Sequence, residues 1–155
     1  LGVATIISAA LLGLAVTAPI GTSDNFLTLS GPITLFSGVA DLFKAGIGSY
    51  ALAGGVLFIA LPILNISTAF DLWYKHPLDG DKFEKFVRRA NACGYLWFLL
   101  VAATVGLIYK INTSAGGIVY PPIYYLLVSV FLQKFVLTRM SRIAAVVKFV
   151  DVEPD

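Results

Sequence analysis

Residues 46–76 read GIGSYALAGGVLFIALPILNISTAFDLWYKH, and this stretch decides the fold. No charged residue occurs between Ile47 and Phe70. A helix rises 1.5 Å per residue, so a run of this length crosses a hydrocarbon core of about 30 Å. We therefore predict a transmembrane helix over residues 47–73.

This helix contains small residues, a proline and a polar amide. Gly54 and Gly55 favour close approach of another helix, because lipid gives helices no hydrophobic reason to associate. Pro62 removes one backbone hydrogen bond, so we expect a kink and a new partner for the carbonyl near Phe58. The amide of Asn65 is expected to face protein, water or a ligand, since lipid exposure is costly. Packing and transport both remain open as roles for Pro62 and Asn65.

The composition places the chain in a bilayer. Of 155 residues, 58% are hydrophobic and 13% are charged, and the mean hydropathy is +0.86. These values exclude an ordinary soluble core. The net charge of +2 is too small to indicate nucleic acid as a partner. A single cysteine, Cys93, permits neither an internal disulfide nor a cysteine-based metal site.

Three more apolar stretches complete the prediction of an all-α fold, an integral membrane four-helix bundle formed by one domain over residues 1–155. They cover residues 1–20, 94–111 and 122–137. The rival interpretation of the first stretch as a signal peptide lacks the basic start of such peptides.

Short amphipathic interfacial helices are expected in the connections between the spans. Apolar residues at helical spacing indicate the first one, and they are Leu35, Val39, Leu42 and Phe43. This helix would lie on the membrane surface or cap the mouth of the bundle. Residues 78–90, which are strongly charged, are expected to contain the second.

The basic residues indicate an orientation. Four spans put both termini and the 78–90 connection on one side, together with nine of the eleven basic residues: Lys75, Lys82, Lys85, Arg88, Arg89, Lys134, Arg139, Arg142 and Lys148. The other side holds Lys44 and Lys110. By the positive-inside rule we expect the termini to face the cytoplasm, or the matrix or stroma of an organelle.

The sequence carries no recognisable catalytic chemistry. It contains no Ser/His/Asp set, no cluster of metal ligands and no glycine loop that would cradle a phosphate. We therefore expect a protein that is not an enzyme and that requires no cofactor. His76, the only histidine, lies just past the second span, where its imidazole is either solvated or a ligand to the metal of a pigment such as chlorophyll.

Four short motifs occur in order along the chain: API at residues 18–20, TLFSGV at 34–39, LPIL at 61–64 and VGLIYK at 105–110. In this order they resemble the membrane domain of the paraquat-inducible protein A family. The resemblance implies a four-helix membrane unit linked to lipid traffic across a bacterial envelope. The chain departs from the family at Asn65, where a lysine is usual shortly after the proline, and at the start of the third span, where an acidic residue is usual. The family's zinc-ribbon cysteines are also absent.

Two functions are open. The first is a non-catalytic accessory or structural subunit of a larger membrane complex, for example a photosystem with its antenna in a thylakoid membrane. Such a subunit would bind neighbouring subunits, lipids, or pigments such as chlorophyll or carotenoid. The second, implied by the resemblance, is a component of a membrane lipid-transport system. There Pro62 and Asn65 would line a lipid-accessible cavity, with an Asp71/Lys75 pair at its mouth.

Overall fold

The structure is a computed structural model and describes residues 1–26, 29–74 and 81–150. Most of this part of the chain is helical, in agreement with the sequence. Its α-helices are α1 (Gly2–Thr17), α2 (Leu35–Lys44), α3 (Gly48–Gly55), α4 (Leu61–Tyr74), α5 (Asp81–Tyr95), α6 (Trp97–Thr113) and α7 (Pro122–Val150).

Some of these helices are long enough to cross a membrane. Within the described residues, three helical segments have the required length and apolar composition: Gly48–Tyr74, Val87–Thr113 and Pro122–Ile143. The apolar helix α1 has 16 residues and is therefore only about 24 Å long. The chain is thus compatible with an integral membrane protein.

The ends of the helices differ from the predicted spans. The second span, predicted over residues 47–73, agrees closely with Gly48–Tyr74. The third was expected over residues 94–111, but α6 is joined to α5 through Leu96 alone, so the helical segment begins much earlier. The fourth was expected over residues 122–137, whereas α7 continues to Val150. No glycine or proline occurs between Ile123 and Val150 to end that helix.

The connections at one end of the helices form a small antiparallel sheet, which the all-α expectation missed. Its strands are β1 (Gly21–Phe26), β2 (Leu29–Ile33) and β3 (Ile118–Val119), in the order β2-β1-β3. The sequence of β1, GTSDNF, consists mainly of residues with low strand propensity. Pairing with β2 and β3 therefore creates this strand, and local sequence does not.

A π-helical turn, Val56–Ala60, lies between α3 and α4. In it the backbone N–H of Leu61 donates to the carbonyl oxygen of Val56, five residues earlier. The next residue, Pro62, is buried and has no N–H to donate. The wide turn is the local adjustment with which this helix accommodates its proline.

The buried apolar side chains form two clusters, one towards each end of the helices. The cluster next to the sheet includes Leu12, Ile20, Ile66 and Leu126. The cluster at the far end joins α4, α5 and α7 through Leu72, Ala90, Val136, Leu137 and Met140. Helix α1 lies along α7 and α4, and its residues contact both clusters.

A substitution at Gly21 tests the pairing of β1 with β3. A Cβ atom at this position would lie 2.7 Å from the carbonyl oxygen of Ile118 and 3.2 Å from the side chain of Ile111. Because backbone cannot move aside easily, we expect Gly21→Ala to lower the free energy of unfolding by about 1–3 kcal/mol. Thermal unfolding in detergent, followed by circular dichroism, measures this loss.

The control is Gly13→Ala in α1, where the added Cβ meets nothing within 4 Å. That change should leave stability unchanged or raise it by about 0.5–1 kcal/mol, because alanine is the better helix former. Equal melting temperatures for the two variants would contradict the strand pairing.

Candidate functional site

An apolar cavity of about 400 Å³ lies beside the sheet, between α2, α3 and α6. This volume is within the range of about 300–1,000 Å³ that is typical of small-molecule sites. Its walls come from the end of the sheet, from α2, from the helix that contains the π turn and from α6. The side chains and glycines lining it are Ile20, Ile33, Thr34, Leu35, Gly38, Val39, Leu42, Tyr50, Ala53, Gly54, Leu57, Phe58, Ala103, Gly106, Leu107 and Lys110.

Small residues make room for the cavity. Gly106 lies on the wall formed by α6, and a Cβ atom there would meet nothing within 4 Å. Gly54 lies on the opposite wall, where a Cβ would be in ordinary contact with Val39 at 3.6 Å. Leu or Phe at position 106 would occupy part of this space. The volume is thus a consequence of specific glycines in the sequence.

The π-helical turn also shapes the cavity. Two of its residues, Leu57 and Phe58, lie on the cavity wall. A π turn widens the helix and changes the direction in which its side chains project, and such turns are frequent at functional sites. Pro62 accordingly acts on the cavity through the backbone of the preceding turn, and it does not itself line the space.

Three polar side chains line the cavity. The hydroxyl of Thr34 belongs to the N-terminal cap of α2, where it accepts from the backbone N–H of Ser37 at 2.9 Å. Tyr50 and Lys110 are exposed, so they lie at the rim. The site therefore combines an apolar interior with one cation and one phenol at its mouth.

A second depression, of about 420 Å³, lies between β2 and α2 and is polar. Its charged residues, Asp41 and Lys44, pair with each other at 3.2 Å. Both side chains are solvent-exposed, at 47% and 79%, so the pair contributes little energy. The apolar cavity is the more specific feature, because its chemistry differs from that of open surface.

A layer of buried polar side chains separates the two apolar clusters. Ser8 of α1 and Ser129 of α7 bond reciprocally: Ser129 Oγ donates to the carbonyl oxygen of Ser8 at 2.8 Å, and Ser8 Oγ donates to that of Ser129 at 3.1 Å. Gln133 Nε2 donates to Ser129 Oγ at 3.1 Å. The two Ser8–Ser129 bonds join α1 to α7, whereas the Gln133 bond lies within α7 and holds the Ser129 side chain in place.

Two amide oxygens in the described core lack donors. Asn65 Oδ1 and Gln133 Oε1 are both buried and accept no hydrogen bond within the described part of the chain. Their residues are only 3% and 4% exposed. An unpaired buried acceptor costs roughly 1–3 kcal/mol. At both positions, no hydrogen bond within the described part of the chain offsets this cost.

The described residues that the sequence analysis singled out do not come together at one site in the structure. Gly54 lines the cavity, and Gly55 lies beside it. A Cβ atom added at Gly55 would be 3.5 Å from the side chain of Val39. Pro62 and Asn65 are buried on α4, outside the cavity wall. Asp71 is half-buried on the last turns of α4 and also outside the cavity. The remaining two, Lys75 and His76, lie outside the described residues.

Sequence reasoning missed the rim lysine and the cavity wall on α6. Lys110 was counted as one of two cations on the less basic side, and Gly106 and Lys110 otherwise entered only as part of the VGLIYK motif, with no role in a site. A signal existed: the spacing of Ala103, Gly106 and Lys110 at i, i+3 and i+7 places all three on one helical face. Among the described residues, no three His, Cys, Asp or Glu side chains form a group that could hold a metal ion.

Asn65→Leu tests whether the unpaired amide has a use outside this chain. Replacing a buried amide whose oxygen has no donor in the described part of the chain with an apolar group of similar size should leave the melting temperature of the isolated protein unchanged or raise it. If the amide meets a partner or ligand, the same change should weaken assembly or transport in the membrane. Stability in detergent and complex formation in membranes are measured in parallel.

The matched control is Ser129→Ala, which removes the acceptor of Gln133 Nε2 and should destabilise the isolated chain by about 1–3 kcal/mol. Unchanged assembly and activity in Asn65→Leu would show that this amide has no external partner.

Comparison with known proteins found no relatives: no protein-family model matches the sequence, and no curated protein or solved structure matches it. The resemblance to the paraquat-inducible protein A family accordingly stays a prediction.

Proposed function

We propose that the chain is a non-catalytic, lipid-binding membrane protein that holds an acyl chain in the apolar cavity beside its sheet. In this proposal α1, Gly48–Tyr74, Val87–Thr113 and α7 cross the bilayer as four spans. The single observation that carries it is the cavity of about 400 Å³, apolar inside and bearing a cation at its rim. This role fits the second function considered from the sequence.

The chemistry of the lining favours a lipid over a pigment. The lining residues include no histidine or cysteine that would ligate the metal of a tetrapyrrole. They do include Lys110, whose ammonium group suits the phosphate of a lipid head group. An acyl chain inside and a phosphate at the mouth would satisfy both parts of the site.

The sheet supports the four-span arrangement. Strands β1 and β3 belong to the connections after α1 and after α6, and they are hydrogen-bonded neighbours. Both connections therefore lie at the same end of the helices. Both termini and α5 would then lie at the opposite end, which is the basic side expected from the sequence.

A second candidate, an accessory subunit of a larger complex, is favoured by a separate groove. This groove, of about 370 Å³, runs between α1 and α4 and includes Ala9, Gly13 and Thr17. A Cβ at Gly13 would meet nothing within 4 Å, so this face of α1 is open at Gly13. A transmembrane helix of a neighbouring subunit fits such a surface.

Gly106→Phe tests the lipid site. The ring would fill the cavity from α6, while the helix itself is strengthened by loss of a glycine. We expect phospholipid that co-purifies in mild detergent to fall several-fold relative to the unsubstituted chain. Phosphorus analysis and mass spectrometry of the purified protein measure it.

Gly13→Phe is the matched control, since it makes the same change at an equally open glycine outside the cavity. It should leave the co-purifying lipid unchanged. Lipid retained equally by both variants would rule out the cavity as the binding site.

The same two variants also test the subunit role, but here Gly13→Phe is the test and Gly106→Phe is the control. Gly13→Phe should block a helix from entering the α1/α4 groove and reduce the mass of the complex extracted from membranes. Gly106→Phe should leave that mass unchanged. Size-exclusion chromatography with light scattering reports it, and equal masses for all three chains would exclude the groove as an interface.

A further inference from the structure

Along the axes of α5, α6 and α7, the exposed side chains are apolar up to a shared level and basic beyond it. On α7, Phe131 and Phe135 are 52% and 49% exposed, and the exposed arginines Arg139 and Arg142 follow. Phe135, Arg139 and Arg142 are spaced i, i+4 and i+7, so they share one face of the helix. That face therefore passes from aromatic to cationic within about two turns.

The neighbouring helices make the same change in the reverse chain direction. Phe98 and Tyr95 are 68% and 82% exposed, and the exposed Arg88 and Arg89 precede them on α5. Val87 and Ala90 pack against the cluster that contains Val136 and Met140. The arginines of α5 are thus level with Arg139 of α7.

Contacts between cations and aromatic rings locate the transition. Lys134 Nζ lies 6.0 Å from the ring centre of Tyr95 and 5.9 Å from that of Trp97. The guanidinium of Arg139 lies 5.5 Å from the ring of Phe135. Tyrosine and tryptophan with snorkelling cations mark the boundary between hydrocarbon and head groups. Tyr95, Trp97 and Lys134 therefore define a plane.

The arginines lie at head-group depth beyond this plane. At 1.5 Å per residue, Arg139 and Arg142 lie about 8 Å and about 12 Å past Lys134, and Arg89 lies about 9 Å before Tyr95. The head-group layer on each side of a bilayer is roughly 5–8 Å thick, and an arginine side chain can reach back into it. Asp71 is the acidic side chain described at this end of α4, and it is half-buried.

The geometry points to a binding surface for anionic phospholipid head groups, formed by Arg89 of α5 and by Arg139 and Arg142 of α7. Guanidinium groups bind phosphate through paired hydrogen bonds, and clustered arginines next to a span attract anionic lipid. This surface depends on the membrane setting of the proposed function but not on the cavity. The two sites lie at opposite ends of the helices.

The test uses the full chain reconstituted in phosphatidylcholine vesicles that contain a minor fraction of phosphatidylglycerol. Lipid retained with the protein after extraction into polymer-bounded discs is then quantified by mass spectrometry. Phosphatidylglycerol should be enriched several-fold over its fraction in the vesicle. The double variant R139Q/R142Q should lose this enrichment, since each basic group contributes about a fivefold preference near an anionic surface.

Lys44→Gln is the control, because Lys44 is an exposed cation on the sheet side of the molecule. It should keep the enrichment, and Gly106→Phe should keep it too, which separates this surface from the cavity. Raising the salt concentration should abolish the enrichment in the unsubstituted chain, since the Debye length falls from about 10 Å at 0.1 M to about 3 Å at 1 M. This salt test needs no substitution.

Two results would overturn the inference. One is equal retention of the two lipids by the unsubstituted chain at low salt, which would leave an acidic protein as the partner of the arginines. The other is enrichment that persists in R139Q/R142Q.

Discussion

The backbone of Ile20 is the point at which the separate parts of this chain are joined. Its N–H donates to the carbonyl oxygen of Ile33 at 2.8 Å, and its own carbonyl accepts from the N–H of Tyr120 at 2.9 Å. The first bond ties the end of α1 to the start of α2, and the second ties it to the start of α7. Its side chain is 1% exposed and belongs to the apolar cluster beside the sheet. Buried peptide groups must be paired, so the two connections are held together and cannot move independently.

This junction also positions the cavity. Ile20 and Ile33 form its wall on the sheet side, and α2 begins immediately afterwards with a capping box between Thr34 and Ser37. Because its first turn is held by this capping box, α2 passes over Gly54. A Cβ atom added at Gly54 would be in contact with Val39 of α2. Helix α2 therefore covers the cavity from one side while glycines keep its interior open. The cavity thus depends on the hydrogen bonds of a sheet that contributes few side chains to it.

The sequence predicted the apolar helices well and the strands not at all. A run without charge, such as residues 47–70, has one stable form in lipid, because a helix satisfies its own backbone. Strand β1 pairs with its neighbour β2 along the chain and also with β3, almost a hundred positions away, as at Gly21 and Val119. No local pattern in GTSDNF indicates that partner. Helix ends were also misplaced, since charged residues such as Arg139 and Arg142 stop a hydrophobic run without stopping a helix.

The candidate site was predicted in part, and for a physical reason. Pro62 signals a disturbed helix, but the sequence cannot show that the disturbance becomes a π turn whose Leu57 and Phe58 line a cavity. Asn65 was expected to face protein, water or a ligand, and it is buried, with no donor to its amide oxygen in the described part of the chain. For Lys110, the position at the rim of the cavity follows from the packing of the helices and not from the residue type. Local chemistry can be read from residue type, whereas a cavity is a property of the distances between helices.

The apolar cavity and the arginine-bearing surface lie at opposite ends of the helices, and the proposed lipid-binding role makes use of both. At the sheet end an apolar cavity meets a single exposed lysine. At the other end aromatic rings and arginines lie level with one another on α5 and α7. Between them, Ser8 and Ser129 join α1 to α7 without any described charge. In the proposed role, lipid would be recognised by where apolar surface stops and charge begins, so specificity would depend on helix positions more than on any one reactive side chain.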